Sequence, residues 1–371
     1  MTPWRPIAIT DPALELVATK LAEGRRLDRN DGLVLAATQD VVSVGALANI
    51  VRERLHGHRT YYVRNCHINY TNVCNKHCLF CQFARNPKDG GPDPYTLSIA
   101  DVTAELERRS NASTREVHIV GGVNPRLPYS YYIELLRAVR HIRPQAVIKA
   151  FTAVELKQIA DQAGKSISDV LRDLQSSGLG AIPGGGAEVL SDRIHQALYP
   201  RKLTPSEWLA VSRDIAGAGL TQYATMLYGH IETIEEQVDH LLKIRALQDE
   251  TGHFVAFTPL AFHPEGTYME DIAPPTGRQD LHIIALSRLL LDNIPHIKTF
   301  WIMNTPSVSQ IALSYGADDL DGTVEEYQIT YEEGRFGDRR QYLAAEDMQH
   351  IIREAGREPI ERDGLYQPVA A

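Results

Sequence analysis

The chain has 371 residues, of which 43% are hydrophobic and 23% are charged, a composition typical of a globular protein with a sizeable core. Its net charge of −9 argues against a nucleic-acid partner, because binding to phosphates requires a basic surface. The sequence has no run of 18 apolar residues and no signal-peptide pattern at its start, so we expect no membrane partner and a location in the reducing cytoplasm.

Residues 1–60 are predicted to form a small N-terminal helical segment. Asp11 precedes apolar residues at helical spacing, and residues 29–32 interrupt the pattern. Residues 33–35 are expected to open a short second helix, and a third is expected over residues 44–55. Residues 56–66 are expected only to lead into the first strand. We expect the segment to pack on the end of the domain that follows, with an interaction module as the alternative.

Residues 61–371 are predicted to form one α/β domain with a C-terminal extension. Short apolar segments alternate here with helical patterns, which is typical of βα units around a parallel sheet. Strands are expected at 67–73, 117–122, 146–154, 179–183, 221–229, 254–263 and 299–305, with 320–324 as an eighth. Helices are expected at 98–110, 130–142, 166–177, 205–218, 233–250 and 278–293. Eight units over roughly 260 residues indicate a (β/α)8 TIM-like barrel, whose functional residues lie at the C-terminal ends of the strands.

Three cysteines follow the first of these strands with the spacing C-x3-C-x2-C: Cys74, Cys78 and Cys81. Thiolates are preferred ligands of soft metals and iron–sulfur clusters, and three of them leave one cluster iron open for catalysis. A single zinc ion would require a fourth ligand, which His77 or Cys66 could supply. A zinc- or cluster-stabilised binding protein without turnover is therefore the alternative. Cys66 itself is interpreted as a buried thiol.

This spacing, with the aromatic Phe80 just before the last cysteine, resembles the radical S-adenosylmethionine (SAM) superfamily. The resemblance implies that Cys74, Cys78 and Cys81 hold a [4Fe–4S] cluster, whose fourth iron is chelated by the amino and carboxylate groups of SAM. It further implies that one electron from the cluster cleaves SAM to methionine and a 5′-deoxyadenosyl radical. An external donor such as flavodoxin or ferredoxin would supply that electron.

Two glycine-containing motifs at predicted strand ends agree with this resemblance. Gly121-Gly122 resembles the pair whose backbone holds the methionine amine of SAM, where a side chain would block so close an approach. Residues 183–188 lack the spacing of a dinucleotide-binding fingerprint, and their Glu188 is predicted to accept hydrogen bonds from the ribose or amine of SAM. The alternative for Glu188 is a solvated carboxylate near a helix N terminus. Tyr228 and Phe80 are further candidates for cofactor binding.

Two histidines at the expected mouth of the barrel, His230 and His263, are candidate catalytic residues that could bind a polar substrate or pass a proton. Each stands in an H-x-E pair like half of a zinc deaminase motif, but the P-C-x-x-C half is missing. Asn304 is the third catalytic candidate. His67 and His118 lie near predicted strand starts and are expected to orient the core.

Stretches along most of the chain narrow the resemblance to the menaquinone (futalosine) pathway branch of the superfamily, and most of all to its aminofutalosine synthase family. These stretches are HINYTNVCNKHCLFCQFAR, VHIVGGVNPRLPYSYYIELLRAVR, IKAFTAVEL, PGGGAEVL, ATMLYGHIET, DHLLKIRALQDETG, FTPLAFHPEGT and GADDLDGT. Asn124, after the glycine pair, departs from the histidine expected in that family. Dehypoxanthine futalosine cyclase and the two halves of the deazaflavin (FO) synthase are the related alternatives.

The resemblance implies a transferase that consumes SAM as a co-substrate. The adenosyl radical adds to the vinyl carbon of 3-[(1-carboxyvinyl)oxy]benzoate, the ether bond breaks, and a carboxylate leaves as bicarbonate. The products are 6-amino-6-deoxyfutalosine and methionine. Two substrate carboxylates require cationic or amide donors, for which Arg126 and Lys149 are candidates by position. His230, His263 or Asn304 would orient the enolpyruvyl group, and loops would cap the barrel to keep the radical from water.

Overall fold

Seven parallel strands follow one another across a single sheet in the same order as in the chain. The computed structural model describes residues 9–85, 94–324 and 342–369. The sheet consists of β2 (Asn65–Ile68), β3 (Glu116–Ile119), β4 (Val147–Ala150), β5 (Leu179–Ile182), β6 (Thr221–Tyr228), β7 (Phe254–Ala261) and β8 (His296–Ile297). A second parallel sheet has the order β10–β1–β9 and consists of β1 (Arg59–Val63), β9 (Asp319–Gly322) and β10 (Glu358–Glu361).

The strand β9 joins the two edges of the larger sheet. Lys298, directly after β8, forms a parallel bridge with Asp319 of β9. At the other edge, the Asn65 backbone N–H donates to the Thr323 hydroxyl (3.1 Å), and that hydroxyl donates to the Asn65 carbonyl (2.9 Å). The predicted TIM-like α/β barrel is thereby confirmed, although its eighth strand is hydrogen-bonded mainly to β1.

Helices separate the strands, as the alternation of patterns predicts. They are α1 (Glu15–Ala22), α2 (Arg29–Ala37), α3 (Val41–His56), α4 (Ile99–Arg109), α5 (Tyr129–Ile142), α6 (Ala153–Ala163), α7 (Ile167–Ser176), α8 (Asp192–Leu198), α9 (Pro205–Gly217), α10 (Ile234–Thr251), α11 (Gly277–Leu290), α12 (Trp301–Asn304), α13 (Pro306–Ala312) and α14 (Ala345–Glu354). Several start with a capping box, in which a Ser or Thr and the residue three positions later satisfy the first N–H groups. None of the helices in the described ranges has the length and apolar character needed to cross a membrane.

Several sequence-based boundaries are wrong, among them the strands expected at 67–73 and 146–154, which end at Ile68 and Ala150. Residues 299–305 are not a strand, because the strand comes earlier, at His296–Ile297, and Trp301–Asn304 form a helix. Residues 29–32 do not interrupt a helix but begin one, since Asp28 and Asp31 form a capping box at the start of α2. Residues 56–66 do not merely lead into the first strand, because β1 lies within them.

The N-terminal helices lie against the outer helices of the barrel. α2 packs on α10 and α11, and α3 packs on α11. Gly45 of α3 permits close contact, because a Cβ atom there would lie 2.2 Å from the Tyr315 ring. The division of the chain at residue 60 stays a prediction, and β1 spans that position.

The C-terminal residues cover the N-terminal ends of the strands. β10 pairs with β1, and the loop after it brings Gly364 beside Val147, the first residue of β4. Tyr223 donates from its hydroxyl to the Gly364 carbonyl (2.8 Å). Arg362 is fully buried and donates to Asp319 (2.5 Å). This end of the barrel is therefore closed, and access to the interior lies at the opposite end.

Candidate active site

A cavity of about 290 Å³ extends from the C-terminal ends of the strands into the barrel. Loops that follow β2, β3 and β5 line its upper part, and side chains from within the strands form its floor. The lining includes Cys74, Cys78, Phe80, Cys81, Gly121, Gly122, Lys149, Glu155, Glu188, Lys202, Tyr223, His263, Lys298 and Asp321. The site lies where a barrel of this type places its chemistry.

The cysteine loop is held in place by backbone hydrogen bonds to three other segments. Cys74 donates to the Arg85 carbonyl (3.1 Å), Asn75 to the Val123 carbonyl (3.1 Å), and Leu79 to the Leu198 carbonyl (3.0 Å). Cys74, Cys78 and Cys81 all line the cavity, whereas the fourth cysteine, Cys66, is fully buried in β2. The loop therefore presents three thiols to one space, and the prediction that Cys66 is a buried thiol is confirmed.

The three sulfurs are not gathered as closely as the ligands of a single zinc ion. Ligands of a tetrahedral zinc ion, each about 2.3 Å from the metal, lie about 3.8 Å apart. Within the described residues, the sulfurs of Cys74, Cys78 and Cys81 do not all lie within 4.8 Å of one another. Burial raises the pKa of the Cys78 thiol to about 12, while the ammonium group of Lys202 acts in the opposite direction. Metal ligation requires deprotonated thiols, which burial opposes at Cys78 and the Lys202 ammonium group favours.

Gly121-Gly122 packs directly against the strand end that leads to the cysteines. A Cβ atom on Gly122 would lie 2.3 Å from the Val73 carbonyl oxygen, and one on Gly121 would lie 2.8 Å from the Tyr70 ring. Both positions therefore require glycine because of these contacts within the chain, whether or not a ligand is bound. The Gly122 N–H donates to the Thr71 carbonyl (2.7 Å), so in a planar trans peptide the Gly121 carbonyl faces the other way.

Glu155 fixes the glycine pair through a hydrogen bond from Gly121. It is buried at the start of α6, where it completes a capping box with Thr152. Its other oxygen accepts hydrogen bonds from the Tyr70 hydroxyl (2.8 Å) and the Gly121 N–H (3.1 Å). The two N–H groups of the glycine pair are therefore both engaged, and the pair can offer carbonyl oxygens to a ligand.

Glu188 and Lys202 form a buried ion pair beside the cysteine loop. Burial opposes the charge on Lys202, but the Glu188 carboxylate outweighs it and the pKa of the lysine is raised. The ammonium group lies 5.5 Å from the centroid of the Phe80 ring. The alternative of a solvated Glu188 capping a helix is wrong, because the residue is buried and Ser191 caps α8.

The floor of the cavity carries a row of polar side chains on adjacent strands. His67, His118 and Lys149 are register partners on β2, β3 and β4. The two imidazole centroids are 4.5 Å apart, and burial lowers the pKa of His67 to about 4. Both histidines thus line the cavity as well as orienting the core.

Comparison with known proteins decides the family. A model of the radical SAM superfamily matches residues 68–244, and a model of the CofH/MqnC C-terminal region matches residues 251–371. The chain is 40% identical over 365 residues to the aminodeoxyfutalosine synthase of Thermus thermophilus, covering 97% of each chain. The chain belongs to the radical SAM superfamily, in its futalosine-pathway branch.

Further comparisons agree with this assignment. The aminodeoxyfutalosine synthase of Streptomyces coelicolor is 38% identical over 358 residues, covering 94% of this chain and 92% of the relative. The cyclic dehypoxanthine futalosine synthase of Halalkalibacterium halodurans is 32% identical, covering 96% of this chain and 95% of the relative. The crystal structure of methylornithine synthase (PylB) shares the fold, with a TM-score of 0.72, 18% identity, and coverage of 92% of this chain and 97% of that one. The chain is thus a radical SAM enzyme that uses SAM and an iron–sulfur cluster.

Three candidates from the sequence, Tyr228, His230 and Asn304, do not line this radical SAM cavity. Side chains alternate along β6, so Tyr223 faces the cavity and Tyr228 faces outward, where it donates to Asp280 (2.6 Å) and accepts from Asn304 (3.1 Å). His230 folds back onto the Leu227 carbonyl (3.1 Å) and pairs with Glu232 (3.0 Å). Of the three catalytic candidates, only His263 lines the cavity.

Asn124 and Arg126 follow the glycine pair in the chain, and neither lines the cavity. Arg126 is exposed. Asn124 is buried and donates to the hydroxyl groups of Thr71 (3.3 Å) and Thr96 (3.1 Å). Its departure from the expected histidine therefore affects the packing beside the site.

Among the charged residues of the site that sequence reasoning missed are Glu155, Lys202, Lys298 and Asp321. Glu155 had a usable signal, since Thr152-x-x-Glu155 is a capping-box pattern after a predicted strand. The other three carry no local signal, because their partners lie elsewhere in the chain or across the barrel.

Proposed function

We propose that this chain is an aminodeoxyfutalosine synthase, a transferase that joins the adenosyl part of SAM to an aromatic enol ether in menaquinone biosynthesis. The substrate is 3-[(1-carboxyvinyl)oxy]benzoate, and the products are 6-amino-6-deoxyfutalosine, methionine and bicarbonate. One water molecule is consumed and one proton is released, and the reaction gains or loses no electrons overall. An external donor such as flavodoxin or ferredoxin supplies the electron that starts the reaction. That electron is returned at the end of the reaction.

The observation that carries this proposal is the meeting of three thiols, a glycine pair and a buried ion pair at one end of a single cavity. The identity of 40% over almost the whole chain to a relative of this name supports the finer assignment.

Cys74, Cys78 and Cys81 would hold a [4Fe–4S] cluster, which when bound supplies the electron that splits SAM into methionine and an adenosyl radical. The carbonyl oxygens of Gly121 and Gly122 would accept hydrogen bonds from the methionine ammonium group, because their N–H groups are already engaged.

Glu188 would accept hydrogen bonds from the ribose hydroxyls of SAM, and its ion pair with the neighbouring Lys202 holds the carboxylate in place. Phe80 would shield the cluster side of the cavity.

The walls between the cysteine loop and the floor would exclude water from the reacting atoms. Leu227, Leu260 and Phe262 line this part of the cavity, and His263 is the polar group among them. An apolar wall packs against an aromatic ring and keeps water away from the reacting atoms. His263 would orient the enolpyruvyl group by a hydrogen bond.

The test is an anaerobic assay with SAM, dithionite and the enolpyruvyl benzoate, followed by mass spectrometry. The reconstituted chain should carry about four irons and four sulfides and form a product that contains adenosine. Cys78→Ala should lose the cluster and all SAM cleavage, whereas Cys66→Ala, which alters a thiol outside the cavity, should keep both. Product formation by the Cys78→Ala variant, or none by the native chain, would refute the proposal.

A further inference from the structure

Two buried lysines lie on the floor of the cavity, away from the cysteine loop. Lys149 is 2% exposed and Lys298 is 3% exposed, and both contribute to the lining. Lys149 pairs with Glu116 (2.6 Å) and Lys298 with Asp321 (2.9 Å). Buried ion pairs add little to stability compared with apolar residues of similar size. Two such pairs at the bottom of a cavity therefore suggest a ligand.

The ring of Tyr223 fixes the positions of the two ammonium groups. Lys149 Nζ lies 4.3 Å and Lys298 Nζ lies 5.4 Å from the centroid of this one ring. The ring is itself held, because its hydroxyl donates to the Gly364 carbonyl (2.8 Å). An ammonium group has three N–H donors, so one carboxylate partner leaves each lysine able to bind an anion.

The walls above the two lysines are largely apolar. Leu227, Leu260, Phe300 and Met303 line the cavity. A ligand that fits this space has an apolar body and carries its negative charge at the end that reaches the floor. An aromatic carboxylate has this distribution of charge, whereas a nucleotide or a sugar does not.

We propose that Lys149 and Lys298 jointly bind the ring carboxylate of an aromatic substrate and so set which end of the substrate enters the barrel first. This rests on the proposed function for the identity of the rest of that substrate. With the ring carboxylate on the floor, the opposite end, which carries the vinyl group, points towards Gly121 and the cysteine loop. The two lysines thus determine both the specificity and the orientation of the substrate.

The test compares a carboxylate with its neutral amide. Calorimetric titrations of the reconstituted full chain, with SAM present and oxygen excluded, use 3-methoxybenzoate and 3-methoxybenzamide. The native chain should bind the carboxylate about 10- to 100-fold more tightly, as expected for charge-assisted hydrogen bonds. The variants Lys298→Met/Asp321→Asn and Lys149→Met/Glu116→Gln should each reduce this preference to about threefold or less.

The substitutions are made in pairs so that no buried charge is left without a partner. Asn is suitable at position 321, where φ is +68°, because it tolerates the left-handed region. The matched control is Lys20→Met/Asp31→Asn, an ion pair (2.7 Å) in the N-terminal helices that does not line the cavity. This control should retain the full preference for the carboxylate.

Absence of the preference in the native chain, or its persistence in either floor variant, would overturn this inference. The result is separable from the proposed function. If the native chain binds 3-methoxybenzoate selectively but does not convert the enolpyruvyl benzoate, the proposed reaction fails and the anion site stands. If conversion occurs and the floor variants still prefer the carboxylate, the anion site fails and the proposed reaction stands.

Discussion

At the scale of single residues, the Glu155 carboxylate connects the start of α6 with the ends of two strands. One oxygen accepts from the Thr152 N–H and hydroxyl, and the other from Tyr70 and Gly121. A carboxylate has acceptor sites for all of these donors, whereas an amide replaces one oxygen by two further N–H donors. Burial raises the pKa of Glu155, whereas the hydrogen bonds that its carboxylate accepts act in the opposite direction.

We predict that Glu155→Gln lowers the free energy of unfolding by about 2 kcal/mol, because an amide leaves buried donors without an acceptor. SAM affinity should fall about tenfold or more, since Gly121 loses its anchor. Denaturant unfolding and equilibrium SAM binding measure the two effects.

The matched control for Glu155→Gln is Glu207→Gln. Glu207 forms the same kind of capping box with Thr204 in an exposed position, so its stability change should stay within about 0.5 kcal/mol. SAM binding equal to that of the native chain in Glu155→Gln would show that the carboxylate does not position the glycine pair.

At the scale of elements, the end of β3 and the end of β2 approach each other closely before the cysteine loop begins. Gly122 contacts the backbone of Val73, and Cys74 follows Val73 directly. The position of the first thiol is therefore coupled to the size of the residue at position 122.

We predict that Gly122→Ala lowers the free energy of unfolding by about 2 kcal/mol and reduces the iron bound per chain, because its Cβ would overlap the Val73 carbonyl. Gly217→Ala at the end of α9 meets no atom within 4 Å and should be neutral or stabilising by up to about 1 kcal/mol. Unfolding curves and iron analysis of both variants decide this, and native iron content in Gly122→Ala would contradict the coupling.

Sequence patterns predicted the elements that carry local signals. The cysteine spacing and the glycines after β3 identified the upper part of the site, because ligand spacing and backbone approach are encoded by neighbouring residues. The run TFWIMNT was mistaken for a strand, since a short apolar segment fits a buried helix equally well. β1 was missed because its partners, β9 and β10, lie near the other end of the chain.

At the scale of the whole molecule, buried polar groups from distant segments hold the barrel together, and local patterns could not predict them. Arg362 meets Asp319, and Lys202 meets Glu188 only after the loops around them have folded. His240 is a further example, because its Nδ1 accepts the Leu190 N–H (3.0 Å). Burial lowers the pKa of His240 from 6.5 to about 3, so the folded chain binds its proton less readily than the unfolded chain.

The pH dependence of stability follows from this difference. Between pH 6.5 and about 3 the unfolded chain binds more protons at His240, so stability decreases as pH falls. We predict that the native chain loses about 1.4 kcal/mol through this residue between pH 7.5 and pH 5.5. His240→Asn, which keeps an acceptor but does not titrate, should lack this part of the loss. Parallel slopes of unfolding free energy against pH for the two chains would contradict the assignment.

The most direct test of the central claim is to follow the adenosyl carbons of SAM. Incubation of the reconstituted chain with the enolpyruvyl benzoate and SAM labelled with ¹³C throughout the adenosine should place the label in the aromatic product. Free 5′-deoxyadenosine should stay a minor species. Label that accumulates only in free 5′-deoxyadenosine, with the substrate converted or unchanged, would show that the radical abstracts hydrogen and would contradict the account.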